Sequence, residues 1–124
     1  MTRKILIVDD EESILTLLAT IFGHIDDYTI LRARDGEEAL KVARADNPDI
    51  MLLDNRLPGI SGLEVCGTVK SDPTMSRIKV MILSCQGQNF DWQEAREMGA
   101  DAYITKPFNS SLLVKKVAEL LGNS

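Results

Sequence analysis

The chain has 124 residues, 14 basic and 19 acidic, for a formal net charge of −5, with 44% hydrophobic and 5% aromatic residues. That length suits one compact domain over 1–124, is too short for two, and buries enough surface to fold without disulfides or a structural metal. Lys and Arg are scattered in an acidic background, so the basic stripe that tracks nucleic-acid phosphates is missing and no direct nucleic-acid binding is expected.

Cys66 and Cys85 are far apart and show no C-x-x-C spacing, which fits reduced thiols rather than a disulfide or thiolate metal site. Apolar runs such as Ile5 to Val8 and Ile50 to Leu53 fall far short of the ~18 residues of a membrane span. The run after Met1 to Lys4 stops at Asp9, too soon for a signal-peptide core of about 7 to 15 residues. A cytoplasmic protein with no membrane contact is the expectation.

Ile5-Leu6-Ile7-Val8 lacks polar alternation, as a strand covered on both faces does. Asp9 and Asp10 end it, and Ile14, Leu17, Leu18 and Ile21 then follow helical spacing up to a stop at Gly23. Tyr28 to Ala33 reads as a second strand; Gly36 to Ala45 reads as a helix with Ala39, Leu40 and Ala43 inward, and Pro48 breaks it. Ile50 to Leu53 is the third strand. Leu57-Pro58-Gly59 turns into a helix from Ser61 or Gly62, with Leu63, Cys66 and Val69 at intervals of three, ending at Asp72-Pro73. Val80 to Leu83 is a fourth strand. A helix from about Asp91 to Met98 stops at Gly99, and Ala102 to Ile104 is a fifth strand. Asn109 or Ser110 caps a last helix with an apolar stripe of Leu113, Val117, Leu120 and Leu121.

Five strands alternating with five helices imply an α/β doubly wound, flavodoxin-like fold, a parallel sheet with helices on both faces; order 2-1-3-4-5 is the common topology chosen. All strands of a parallel sheet end on one edge, so Asp9 and Asp10, Asp54, Ser84 and Lys106 converge there. Crowded carboxylates resist ionising unless a cation shares the site. Mg²⁺ suits them, being hard, oxygen-seeking and content with one or two carboxylates plus a substrate phosphate. Asp can attack phosphorus to give an aspartyl phosphate. Asp54 stands alone on the central strand and is the candidate nucleophile, with Asp9 and Asp10 as a ligand pair. Lys106 would neutralise phosphoryl oxygens and Ser84 would donate a hydrogen bond to one of them. Each residue also has a plain structural role: Asp10 as a helix N-cap, Asp54 as a turn former, Ser84 as a cap and Lys106 as a solvated loop charge.

Asp9-Asp10, Leu52-Leu53-Asp54 followed by Leu57-Pro58-Gly59 and Gly62, then Ser84, and Gly99-Ala100-Asp101-Ala102-Tyr103 leading to Thr105-Lys106-Pro107-Phe108 together resemble the receiver domain of two-component response regulators, of the chemotaxis single-domain type, across essentially the whole chain. The resemblance implies that Asp54 takes a phosphoryl group from the phosphohistidine of a sensor histidine kinase or phosphotransfer protein. Mg²⁺ would be held by Asp10, Asp54 and the backbone carbonyl of Arg56, with Asp9 assisting. The domain would catalyse its own phosphorylation and slow autodephosphorylation rather than turn over a substrate. A cis Lys106-Pro107 bond is implied too, as is a switch in which Ser84 moves toward the phosphoryl group and Tyr103 swings inward. The surface of the fourth helix, fifth strand and fifth helix would then change its binding of an output domain or protein, in a monomer or a phosphorylation-dependent dimer. The alternative for Tyr103 is a half-buried aromatic on an edge strand.

Three positions set the phosphoryl lifetime in this reading. Cys85 stands where the family usually has Ala or Gly and would restrict entry to the site. Arg56 would either stabilise the phosphoryl group or obstruct the attacking water. Gln86 lies at a variable position of the family. Trp92 is either a partner anchor or a core residue spaced to Ala95, and His24 is a surface residue. A flavin protein would place a phosphate-cradling loop where Asp9-Asp10-Glu11-Glu12 stands, an aspartate-nucleophile phosphatase would have an acid where Arg56 stands, and no glycine-rich nucleotide motif occurs. The remaining alternative is a pseudo-receiver, the same fold binding proteins without phosphorylation.

Overall fold

The computed structural model describes residues 2–85 and 91–122, and shows five strands and five helices in strict alternation. These are β1 (Arg3–Val8), α1 (Glu12–Gly23), β2 (Tyr28–Ala33), α2 (Gly36–Asp46), β3 (Ile50–Asp54), α3 (Gly62–Ser71), β4 (Lys79–Cys85), α4 (Trp92–Glu97), β5 (Ala102–Lys106) and α5 (Ser110–Leu120). The strands form one parallel sheet in the expected order β2-β1-β3-β4-β5. Gln86 lies outside the described residues.

The uninterrupted apolar strands make sense because both faces of the sheet are covered. Leu6, Val8, Met51, Leu53, Val80 and Ile82 pack with Ala39 and Ala43 of α2, Val65, Cys66 and Val69 of α3, and Ala95 of α4. Ile5, Ile7, Ile50, Leu52, Met81, Leu83 and Ile104 face the other way, against Leu15, Leu18 and Phe22 of α1 and Leu113 and Val117 of α5. Side chains in a strand alternate between faces, so residue parity assigns each strand position to one helical layer.

Helix boundaries follow local chemistry. Asp35, Ser61, Asp91 and Asn109 cap α2, α3, α4 and α5 by accepting backbone amides, and Ser61 with Glu64 completes a capping box. Three expectations need correction. The N-cap of α1 is Glu11, without a side-chain bond, so Asp10 is not a cap. The buried stripe of α1 is Leu15, Leu18 and Phe22, and Leu17 is 44% exposed, because the sheet meets α1 about one position round from the expected face. In α3 the buried residues are Val65, Cys66 and Val69 with Leu63 only half-buried, and Met75 and Ile78 beyond the helix join the core.

Candidate acidic phosphoryl-acceptor site

The order of the strands reverses between β1 and β3, and a crevice opens at their carboxyl ends, where ligands bind in open α/β sheets. Asp54 ends β3 and Asp9 follows β1; both are buried, at 3% and 0% exposure. Parity continues the pattern of the sheet to its rim. Asp9 follows Ile5 and Ile7, Asp54 follows Ile50 and Leu52, and Lys106 follows Ile104, so all three belong to the α1 and α5 side. Their charges meet there.

Lys106 Nζ donates to Asp9 Oδ2 at 2.6 Å and lies 3.5 Å from Asp54 Oδ1. The other Asp9 oxygen accepts the Glu11 amide at 2.9 Å, and Asp54 Oδ1 accepts the Arg56 amide at 3.4 Å. Asp10 is exposed at the mouth, and one carboxylate oxygen from each of Asp9, Asp10 and Asp54 lies within 4.8 Å of the others. Ser84 is buried at the end of β4, in register with Thr105, while Asp54 pairs with Leu83. Lys106 is buried and ion-paired rather than a solvated loop charge, whereas the bond from the Arg56 amide two residues on is the one a turn-forming Asp54 makes.

Burial is the largest influence on the Asp54 carboxyl, and together with the Asp9 charge it pushes the pKa up from 3.8 to about 6 against the pull of Lys106 and the Arg56 amide. Burial also works against the Lys106 ammonium. There the hydrogen bond to Asp9 and the charges of Asp54 and Asp9 outweigh it, and the pKa stands above its ordinary value. Three carboxylates facing one ammonium leave a local excess of negative charge, and an all-oxygen donor set at this spacing fits a hard divalent cation better than a thiolate- or imidazole-seeking one.

The remaining candidate residues are less tightly drawn in. The Lys106-Pro107 peptide bond is cis. Cys85 is half-buried in register with Lys106, and neither it nor Cys66 is in a disulfide. Tyr103 is 37% exposed on the edge strand β5 and packs against Trp92, with ring centroids 4.9 Å apart and planes tilted by 40°. Trp92 also packs against the core on the α2 and α3 side, so it is half core residue and half surface. Sequence reasoning treated Trp92 and Tyr103 separately and missed their contact. It also missed the direct Lys106–Asp9 bond, which the alternation along β1 and β5 would have revealed.

The response regulator receiver domain family matches residues 5–118. The chain belongs to that family. The alkaline phosphatase synthesis transcriptional regulatory protein PhoP of Bacillus subtilis (strain 168) is 40% identical over 124 residues, and the chain spans all of its own length and 50% of PhoP. The polar-differentiation response regulator DivK of Brucella ovis is 33% identical, with both chains covered completely. Among solved structures, the chemotaxis response regulator CheY4 of Vibrio cholerae superposes with a TM-score of 0.88 at 27% identity, over 97% of this chain and 99% of CheY4. The signal receiver domain of a signal transduction histidine kinase from Syntrophus aciditrophicus gives 0.89 at 30% identity, over 98% and 91%. Receiver domains serve two-component signalling, generally with Mg²⁺ at an acidic pocket, and interact with histidine kinases or phosphotransfer proteins and with output partners. No helix among the described residues is long and apolar enough to cross a membrane.

Proposed function

We propose that this chain, as one receiver domain over 1–124, is a phosphorylation switch whose acceptor is Asp54. The observation that carries the reading is the grouping of Asp54 with Asp9, Asp10 and Lys106 in the crevice between β1 and β3. An Asp54 carboxylate oxygen attacks the phosphorus of a phosphohistidine on a histidine kinase or phosphotransfer protein. The new O–P bond forms as the N–P bond breaks, and the leaving imidazole keeps the electron pair and takes up a proton from solvent. Asp10, Asp54 and the Arg56 carbonyl, with Asp9 assisting, would hold a magnesium ion, which would supply charge neutralisation for the incoming phosphoryl oxygens.

The protein's own part is positioning and electrostatics. Asp54 is held at the end of a fully buried strand, which fixes its angle of attack. Lys106 is anchored by Asp9 within reach of Asp54 and can give a charge-assisted bond to a phosphoryl oxygen. Ser84 offers a hydroxyl from the next strand. Arg56, Cys85 and Gln86 tune how long the phosphoryl group survives attack by water.

Phosphorylation adds about −1.5 to −2 charges at a fixed point, and only a difference in contacts between two arrangements lets that charge shift their populations. Ser84 and Tyr103 are the switch residues, and the α4, β5 and α5 surface is what an output partner reads. The exposed, Trp92-packed Tyr103 corresponds to the resting arrangement in this scheme. Incubating the protein with Mg²⁺ and a small acyl phosphate, then measuring intact mass, should show one added phosphoryl group in wild type and none in Asp54→Ala. An unmodified wild type would favour the pseudo-receiver reading.

A further inference from the structure

The rim of the sheet opposite the acceptor crevice carries the reverse charge. Strand parity, which brings Asp9, Asp54 and Lys106 to the α1 and α5 side at one end, runs back from Ile5 and Ile7 to Arg3 and from Met81 and Leu83 to Lys79 at the other. Arg77, two residues before Lys79, joins these two cations around a pocket of about 170 Å³ that Leu120 and Leu121, at the end of α5, also line. The main chain beneath them is bonded from strand to strand. β1, β3 and β4 are neighbours, the Asp49 amide before β3 donates to the Lys4 carbonyl at 2.9 Å, and the Lys79 amide donates to the Asp49 carbonyl at 3.1 Å.

These cations lack partners in a chain with an excess of acids. Among the described residues, the side chains of Arg3, Arg77 and Lys79 make no hydrogen bond or ion pair, whereas Arg32 and Arg34 sit against Glu12, and Lys70 against Asp101. Asp49, the acid among the residues lining the pocket, turns an oxygen to the Lys4 amide at 2.7 Å and to none of the three. Three cations against one carboxylate repel one another unless an anion shares the pocket, just as the acids of the opposite rim call for a cation.

We propose that this pocket binds a compact, multiply charged oxyanion of the phosphate type. The guanidinium forks of Arg3 and Arg77 match the oxygens of such a group two at a time, and the Lys79 ammonium adds a point charge. A singly charged carboxylate leaves the excess of positive charge only partly neutralised. The volume is below the roughly 300 Å³ at which sites for drug-sized ligands begin, so the pocket takes the anionic group itself, whether free or at the end of a larger molecule that extends into solvent. Arg3 lies six positions before Asp9, so roughly 20 Å of strand separates this site from the acceptor crevice, and the anion it takes is not the one transferred to Asp54.

Calorimetric titration of the whole chain with inorganic pyrophosphate tests this, in metal-free buffer of low ionic strength, where the acids of the acceptor crevice repel anions. We expect saturable binding at one site that weakens as salt is added, with amide resonance shifts centred on Arg3, Asp49, Arg77 and Lys79 and absent at Asp54. Arg77→Gln and Lys79→Gln should each lower the affinity roughly fivefold, and the double variant should lose measurable binding while keeping the circular dichroism of wild type. Lys41→Gln, which removes the same charge from the exposed side of α2, should bind as wild type does. A nucleoside diphosphate that binds at least as tightly as pyrophosphate identifies the end of a larger ligand as the occupant, and one that binds more weakly identifies the free anion. The proposal is overturned by an absence of saturable binding, by a loss in Lys41→Gln equal to that in the pocket variants, or by shifts centred on Asp54. A peptide rich in Asp and Glu that binds where pyrophosphate does not would assign the cluster to a protein partner and also overturn it. None of these readouts depends on whether Asp54 accepts a phosphoryl group.

Discussion

The ammonium of Lys106 is bonded to Asp9, at 2.6 Å, across 97 positions of sequence. Asp9 is fully buried, so the pair is a case in which removing one partner strands a charge, at a cost of about 3–5 kcal/mol. Lys106 also occupies a carboxylate oxygen and repels any dication. Lys106→Met should therefore lower the metal-free melting temperature, bind Mg²⁺ more tightly than wild type, and regain much of its lost stability when Mg²⁺ is added. Phosphoryl transfer should nonetheless fall by roughly 10²–10³, as when a transition-state donor is removed. Calorimetry for the metal and mass-resolved labelling rates check the two halves; a variant with weaker Mg²⁺ binding would show that Lys106 organises the acids rather than competes for them.

Asp54 should make the metal-free protein less stable as pH rises. Its folded pKa of about 6 lies above the ordinary 3.8. Well below 3.8 the group is protonated whether the chain is folded or not. Between there and about 6 the unfolded chain has released the proton and the native state has not, so stability declines with rising pH, and above about 6 the penalty is complete, at most on the order of 3 kcal/mol. Asp54→Asn should thus be the more stable protein at neutral pH, with the gain shrinking toward pH ~4, as followed by denaturant unfolding. By the same linkage, Mg²⁺ affinity of wild type should fall as pH drops through about 6. An Asn variant no more stable than wild type at neutral pH would mean that Lys106 fully compensates the burial of Asp54.

The fold and the gathering of acids were legible because they depend on period and order. Continuous apolar strands, helical spacing and the single carboxyl edge of a parallel sheet bring Asp9, Asp10, Asp54 and Lys106 together with no knowledge of side-chain contacts. What was not legible depends on rotation and partnership. Leu17 satisfies helical spacing as well as Leu15 does, and only the way α1 meets the sheet decides that Leu15 is buried and Leu17 is not. Asp10 has the composition of an N-cap, but the helix starts one residue later and Asp9 receives the Glu11 amide instead. The Trp92–Tyr103 contact joins α4 to β5, and nothing local in either segment announces it.

Gly62 is where backbone packing holds the end of β3 in place. A Cβ there would lie 2.2 Å from the Asp54 carbonyl oxygen and 3.0 Å from the Asn55 Cα, and both are main-chain atoms that cannot swing aside. The Gly62 amide already donates to the Asn55 carbonyl at 3.2 Å. Gly62→Ala should therefore cost about 2 kcal/mol or more, despite alanine's better helix propensity, and should slow acyl-phosphate labelling by moving Asp54. Gly59, with φ of 78° and nothing within 4 Å of its added Cβ, should lose about 1 kcal/mol from backbone strain alone and keep its labelling rate. Equal labelling defects in the two variants would mean that the whole β3–α3 loop, and not the close approach at Gly62, positions the carboxylate.

Trp92 is the only tryptophan, and its packing on Tyr103 at 4.9 Å makes it a reporter of the proposed switch. Such aromatic pairs contribute about 0.5–1.5 kcal/mol beyond area burial, enough to change a two-state ratio by roughly 2- to 10-fold. If Tyr103 leaves Trp92 when Asp54 is phosphorylated, Trp92 emission should change on adding acyl phosphate with Mg²⁺, and the change should be absent in Asp54→Asn. In Tyr103→Ala the emission should already differ before phosphorylation and respond little afterwards. Trp92→Ala removes a contact present only in the exposed arrangement of Tyr103, so phosphorylation should shift the population further toward the other arrangement and tighten phosphorylation-dependent partner binding by a similar factor. An emission change that survives in Tyr103→Ala would place the moving element in α4 itself.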